Sequence, residues 1–462
     1  MENGARGVTH ARSGRDLRPR VAIVGGGWAG CAAALRLADA GIAVTIYEQA
    51  PRLGGRARSV SADGLLLDNG QHLLVGAYRA TLDVITRVHD GASADLFHDL
   101  PLSIRPFGSC ASPELIAADA RAPWHLVRAV LAARGLTLRE RWALVREFER
   151  LRHDPAASVD ASVRDRFAHL PTSVYRGLWE PLCLAALNTP PARASARIFT
   201  GVLRSVLHGP ASASRFLVPR VGLSELLPDP AARIVMQHGG TVLTGERVRN
   251  IVVRDAAVTL ATSGQQHEYD QVIIAVGPHQ IAQLDVHGVA AWAELRTRVA
   301  SLHYESINTI HLGYASASMP SVIERLDDTP GQWVFDGGAL SVGGESLRRL
   351  SVVISGNGAH DALTQPALVE AADAQLRRCA KHLGALRFAR VFAERRATFA
   401  CEPGLARPAA GRLAPRVHLA GDYTHPDLPA TLESAVQTGM IAAGTVLDAL
   451  DLAPVRADAA VH

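Results

Sequence analysis

The residues best equipped for chemistry come early in the chain. Val21-Ala22-Ile23-Val24 is a short β-branched run that leads into Gly25-Gly26-Gly27-Trp28-Ala29-Gly30, and an alanine-rich helical pattern follows from Cys31 to Ala38. Gly25, Gly27 and Gly30 form a GxGxxG set between a strand and a helix, the arrangement that binds the pyrophosphate of a dinucleotide. Gly25 permits the tight turn and Gly27 lets the main chain approach the phosphates. Gly30 lets the helix lie close on the strand, and Ala29 shares that turn. The helix start offers free N–H groups and the positive end of its dipole. A second strand, Ile42 to Tyr47, ends at Glu48, 23 residues after Gly25. A carboxylate there holds an adenosine ribose, and an acid in place of an arginine selects a free 2′-hydroxyl. FAD and NAD fit these residues better than NADP.

Two more segments decide between FAD and NAD. Arg52-Leu53-Gly54-Gly55-Arg56 follows the ribose acid directly, so Gly54 and Gly55 let the chain cross close to the cofactor and Arg56 can reach a phosphate. Near the other end, Val417-His418-Leu419-Ala420-Gly421-Asp422 is a strand running into a turn, and an apolar helix opens at Pro429 and runs to about Leu447. These segments resemble the second glycine motif and the carboxy-terminal FAD motif of the flavin amine oxidase and carotenoid desaturase superfamily. The resemblance implies that Gly421 and Asp422 meet the ribityl–pyrophosphate region and that the Leu432 amide faces flavin N1 and O2. It also places Val248 against the adenine. The fold class implied is α/β: a two-domain FAD-dependent oxidoreductase of the flavin amine oxidase type, with a Rossmann-like FAD domain and a mixed α+β substrate domain. The FAD is non-covalent, because the cysteine-bearing sequence of covalent flavin links is absent around Cys401, which reads as a plain thiol.

The elements that must position these motifs follow from the hydrophobic spacing. The FAD domain is expected from three stretches, 20–78, 211–283 and 396–450, with the substrate domain in 79–210 and 284–395. Residues 1–19 are an arginine-rich polar arm without the apolar core of a secretory signal, expected to be disordered, and 451–462 are a tail. The first substrate stretch is rich in helix formers. From Leu126 to Leu151 apolar residues recur at helical spacing with Arg128, Arg134, Arg139, Arg141, Arg146 and Arg150 between them. That pattern describes an amphipathic pair packed on a core; its sharper reading is a basic, Trp-bearing face that touches anionic lipid. Residues 220–277 change to strand spacing.

Composition narrows the function further. The 462 residues carry 48 Lys+Arg against 44 Asp+Glu, a net charge of +4, which is too thin for nucleic-acid binding. The five cysteines are dispersed, with no CxxC pair or metal-like spacing, which argues for reduced thiols, for the cytoplasm and for no metal. No apolar run is long and uncharged enough for a transmembrane helix, so any membrane contact is expected to be peripheral, at the inner face of the cytoplasmic membrane.

Two longer stretches narrow the resemblance. Leu67-Asp68-Asn69-Gly70-Gln71-His72-Leu73-Leu74-Val75-Gly76-Ala77-Tyr78 and Trp179-Glu180-Pro181-Leu182-Cys183-Leu184-Ala185-Ala186-Leu187-Asn188-Thr189-Pro190 resemble the squalene-associated FAD-dependent desaturases, the hydroxysqualene dehydroxylase family of bacterial hopanoid biosynthesis. The likeness covers about residues 20 to 448. It implies reductive loss of an allylic hydroxyl from an apolar C30 isoprenoid, and association with other enzymes of the squalene pathway. Such a reaction needs a water-poor tunnel, a proton donor near the hydroxyl and aromatic faces for a delocalised cation. His72 is the first choice of acid, with Glu180 and Tyr423 behind it. A carotenoid-type desaturase remains the runner-up. Amine oxidation is disfavoured, because the sole lysine, Lys381, sits in a charged helical stretch unlike the lysine motif of those enzymes. A prenyl-binding escort protein would not need Glu48, Arg56, Gly421 and Asp422 intact.

Overall fold

A computed structural model describes residues 18–110, 113–153, 160–207, 209–380 and 382–452. Most of the expected arm, most of the tail and Lys381 lie outside the described residues. The glycine fingerprint occupies β1 (Arg20–Val24), α1 (Trp28–Asp39) and β2 (Ala43–Glu48). A helical layer follows, with α2 (Trp124–Ala132), α3 (Leu138–His153), α4 (Glu180–Leu187) and α5 (Ala196–Leu207). The chain then returns through β3 (Thr241–Thr244) and β4 (Gln271–Ile274). It next builds β5 (Tyr304–Tyr314), β6 (Ile323–Arg325), β7 (Trp333–Val342), β8 (Glu345–Ser355), α6 (Gln365–Cys379) and β9 (Leu386–Phe399). Finally β10 (Gly411–Ala414), β11 (Val417–Leu419) and α7 (Leu432–Ala449) close it.

One sheet has the order β3-β2-β1-β4-β11-β10, parallel except for the β10–β11 pair. Residues 21–24 are buried on both faces, which explains why β1 reads as a continuous apolar run rather than an alternation. The chain leaves β1 towards β2 on one side and β4 lies on the other, so a crevice opens at the carboxyl end of β1. Helices α1 and α7 cross closely there, since a Cβ on Gly439 would stand 2.1 Å from the Ala29 carbonyl oxygen. A second, antiparallel sheet has the order β6-β7-β8-β5-β9.

The 79–210 stretch is largely helical, as its composition suggests, and also holds short strands, of which Phe97–Leu100 pairs with Phe216–Pro219. Two readings of the sequence are corrected. The 220–277 stretch contains the helix Pro228–Gln237, whose two prolines sit in the first turn where no intrahelical N–H is required. The reduced-thiol reading fails at one pair: Cys110 and Cys379 form a disulfide with Cα atoms 5.4 Å apart. Their 269-residue separation leaves no local spacing to reveal it, and the cysteine argument for a reducing compartment loses its premise. Cys31, Cys183 and Cys401 are free and buried.

His311 joins the two halves of the molecule. Its Nε2 lies 3.1 Å from the Asp68 carbonyl, which can only accept, so its Nδ1, 2.8 Å from Ser351 Oγ, accepts from that hydroxyl. Burial, reinforced by the Arg349 charge, pushes its pKa down to about 4. An unfolded histidine takes up its proton near pH 6.5, so between there and pH 4 the unfolded chain binds more protons and stability falls with pH. We expect a loss of about 2 kcal/mol from this group between pH 7 and pH 5. Denaturant unfolding at the two pH values measures it. The slope should shrink in His311→Gln, which offers a donor and an acceptor without titrating; an unchanged slope would refute the assignment.

Candidate active site

The crevice at the end of β1 continues into a cavity of about 800 Å³. Its cofactor end is built from backbone. Gly25 has a φ of +110°, and a Cβ there would stand 2.6 Å from the Ala275 oxygen of the strand end beside it. Gly27 is the extended cap of α1, and the first amides of that helix have no acceptor within it. A Cβ on Gly27 would meet only Gly55 Cα, at 4.0 Å, so the space in front of these amides is open to the cavity. Gly54 N–H donates to the Gly26 carbonyl at 2.8 Å, and Trp28 Nε1 donates to the Ala57 carbonyl at 2.9 Å. The two glycine turns therefore form one cradle of main chain at the cofactor end of the cavity.

Glu48 is buried at the end of β2 and lines the cavity. Its Oε2 accepts from Gly26 N–H and its Oε1 from Ala50 N–H, both at 2.8 Å, which fixes the carboxylate beside the glycine turn. Val248 is buried in the same wall, and Ala29, Gly421, Asp422 and Leu432 also line it. Leu432 opens α7, whose cap Thr431 accepts from Ser434 N–H at 3.1 Å and leaves the first amides facing the cavity. Glu433, one residue on, also lines the cavity and accepts from Ala80 and Thr81 N–H, so it caps the neighbouring helix Arg79–Val88.

Arg56 and Asp422 meet directly. Arg56 Nη2 donates to Asp422 Oδ1 at 2.7 Å and Nη1 donates to the Ala397 carbonyl at 2.8 Å. The sequence suggested a phosphate partner for Arg56; it lines the cavity, and its fork also holds Asp422 beside the Gly421 turn and the Ala397 carbonyl of β9. Asp422→Ala leaves the guanidinium with one partner in a wall it shares with the cofactor. We expect FAD to bind at least about tenfold more weakly and stability to fall by about 2 kcal/mol, less than for a fully buried pair because Arg56 keeps 31% exposure. Asp422→Asn keeps an acceptor and should recover part of both. Flavin retention on gel filtration reads the outcome, and full retention by Asp422→Ala would dismiss the role.

The cavity then passes between the second sheet and the helical layer. Its walls there are Trp333, Phe335, Trp179, Phe148, Leu126 and Leu144, with further aliphatic residues of α5. Phe148 stacks on Trp179 at 6.0 Å between ring centroids. A π-helical turn, Tyr175–Trp179, precedes α4 and sets Trp179 into the wall.

The three candidate acids separate clearly. His72 lines the cavity, with Nδ1 3.0 Å from the Gly70 carbonyl. Glu180 is half-buried and is not in the cavity wall: Trp179, Leu182 and Ala186 occupy the wall-facing helical spacing, and position 180 is turned about 100° away. Tyr423 is fully buried and also outside the wall, its ring packed under Gly421. Burial raises its hydroxyl pKa, and the Asp422 charge adds to this. His279, not foreseen, lines the cavity instead, its pKa lowered by burial and then by Arg396 and Arg56. The signal was one residue past Val276-Gly277-Pro278, a strand end that returns to the cofactor crevice. Cys401 is buried away from the wall, its thiol pushed up to about 12 by burial.

A family model described as flavin containing amine oxidoreductase matches residues 28–447. The chain belongs to this family. As a flavin containing amine oxidoreductase family member it is an FAD-dependent oxidoreductase, and its glycine cradle, ribose acid and α7 start fit that cofactor. It is 29% identical to the hydroxysqualene dehydroxylase of Rhodopseudomonas palustris over 448 residues, 93% of this chain and 98% of that one. A zeta-carotene desaturase of Synechocystis is 41% identical, but over 78 residues, 17% of this chain and 16% of its own. Among solved structures, cyclohexylamine oxidase from Brevibacterium oxydans superposes with a TM-score of 0.69 over 94% of this chain and 100% of that one, at 18% identity, which shows a shared fold.

Proposed function

We propose that this protein removes the hydroxyl group of hydroxysqualene reductively, yielding squalene and water. The observation that carries the reading is the continuity of one cavity from the cofactor cradle into an apolar, aromatic-walled passage. The whole-length likeness to a hydroxysqualene dehydroxylase supports it, whereas the desaturase likeness is confined to a short stretch. When bound, reduced FAD supplies a hydride at N5. The chain provides the rest. Leu126, Leu144 and the α5 side chains exclude water from an isoprenoid chain. A proton delivered from the histidine side of the cavity lets the hydroxyl depart as water, because hydroxide is a poor leaving group. The faces of Trp179 and Trp333 lower the energy of the allylic cation left behind. One proton and one hydride are consumed for each water released, which balances the reaction.

Anaerobic incubation of dithionite-reduced holoenzyme with hydroxysqualene, followed by lipid extraction, tests the reading. Squalene should form in step with flavin reoxidation. No turnover, together with conversion of a carotene or squalene by the oxidised enzyme, would replace it with a desaturase.

A further inference from the structure

The outer faces of α2 and α3 carry an unusual surface. On α2, Trp124, Arg128 and Leu131 fall at i, i+4 and i+7; on α3, Leu138, Trp142 and Arg146 fall at i, i+4 and i+8, and all six are exposed. Trp124 is 61%, Leu131 47%, Leu138 72% and Trp142 56% exposed, so four large apolar side chains reach solvent within one helical pair. Arg141 fastens the two stripes side by side, donating to the Leu131 carbonyl at 2.6 Å and to the Leu136 carbonyl at 3.2 Å. Arg121 and Arg139 add exposed positive charge. The acids of the two helices do not cancel it. Glu140 is held by Thr137 and Ser173, Glu147 is buried among His169, Arg150 and Arg166, and Glu149 pairs with Arg152.

The inner faces of the same helices supply Leu126, Leu144 and Phe148 to the cavity wall. A layer one helix thick therefore separates the exposed tryptophans from the apolar passage.

We propose that this face docks on an anionic phospholipid bilayer, with Trp124, Leu131, Leu138 and Trp142 inserted at the headgroup level and the arginines on lipid phosphates. The chemistry favours lipid over a protein partner. Indole rings prefer the membrane interface, guanidinium groups attract acidic headgroups, and the passage behind the face suits a molecule dissolved in the bilayer. No helix among the described residues is long and apolar enough to cross a membrane, so the contact is a peripheral one. The inference stands on the surface itself. Its test needs no turnover, so it can fail or hold independently of the hydroxysqualene reading.

The tryptophan inventory makes the test direct. The chain has six tryptophans; Trp28, Trp179, Trp292 and Trp333 are buried, which leaves Trp124 and Trp142 as the exposed pair. Purified holoprotein is titrated with phosphatidylcholine vesicles containing or lacking phosphatidylglycerol, some carrying brominated acyl chains. Binding to the anionic vesicles, with a blue shift and bromine quenching, is the expected result. Quenching should vanish in Trp124→Phe/Trp142→Phe, a variant that still sediments with the vesicles. Each arginine reversed to glutamate at 128, 139 or 146 should weaken binding by about fivefold or more, and salt should weaken it too. These positions lie outside the cavity wall, so flavin content should not change. Wild-type protein that ignores anionic vesicles, or whose tryptophans escape quenching while it sediments, would overturn the proposal. So would concentration-dependent self-association abolished by the same variants, which would make the face a protein interface.

Discussion

Gly30→Ala should yield a protein that purifies without flavin. A Cβ at this position would stand 2.0 Å from the Gly25 carbonyl oxygen and 3.3 Å from Ile23 Cγ2. The first obstacle is main chain and cannot rotate aside. Helix α1 would have to lift from β1 by more than 1 Å, opening the turn whose amides face the phosphates. A displacement of that size costs on the order of 100-fold in a site that depends on position, and overpacking adds about 3 kcal/mol of instability. Two controls separate this from a general dislike of losing glycine. Gly41 has a φ of +77° but nothing within 4 Å of its Cβ, so Gly41→Ala should cost about 1 kcal/mol and keep its flavin. Gly27→Ala meets no protein atom closer than 4.0 Å, so it should fold normally and bind FAD weakly, because the new methyl group occupies cofactor space. Absorbance at 450 nm relative to 280 nm, with the melting temperature, distinguishes the three. A yellow, stable Gly30→Ala protein would refute the close-packing account.

That cradle was legible because its information is local. Gly25, Gly27 and Gly30 act through their own main chain, so spacing alone states their purpose. Glu48 was legible for the same reason, as the last residue of a short β-branched strand. What sequence could not supply was orientation and distance. Glu180 lies one position from Trp179, yet a 100° helical step turns it out of the wall that Trp179 forms. Arg56 and Asp422 are 366 residues apart and each has an obvious ligand-facing reading, so nothing in either motif announced that they bind each other. The Cys110–Cys379 disulfide was hidden by the same kind of separation. The amphipathic arginine-rich stretch lay between these cases: its period identified α2 and α3, but only exposure showed that both tryptophans look outward.

His72 is where local pattern and tertiary geometry have to be combined, and the effect of changing it should be large. Its Nδ1 faces the Gly70 carbonyl, so in the neutral ring that nitrogen carries the hydrogen and Nε2 is bare. Burial lowers its pKa from the ordinary value, more than the Asp68 charge and the bond to Gly70 restore it. The resting ring at neutral pH is therefore an acceptor. To release a hydroxyl as water it must first become the imidazolium, so single-turnover rates should rise as pH falls and decline as pH rises through a pKa below 6.5. His72→Ala should lower that rate by about 100-fold or more and flatten the limb. His72→Gln should retain flavin and substrate binding while losing the same limb, which a purely structural histidine would not predict. Stopped-flow flavin reoxidation between pH 5 and pH 8 measures both features. If His72→Ala keeps rate and limb alike, the proton comes from elsewhere in the cavity. His279 then becomes the residue to replace, since it lines the same wall and is also shifted down by burial.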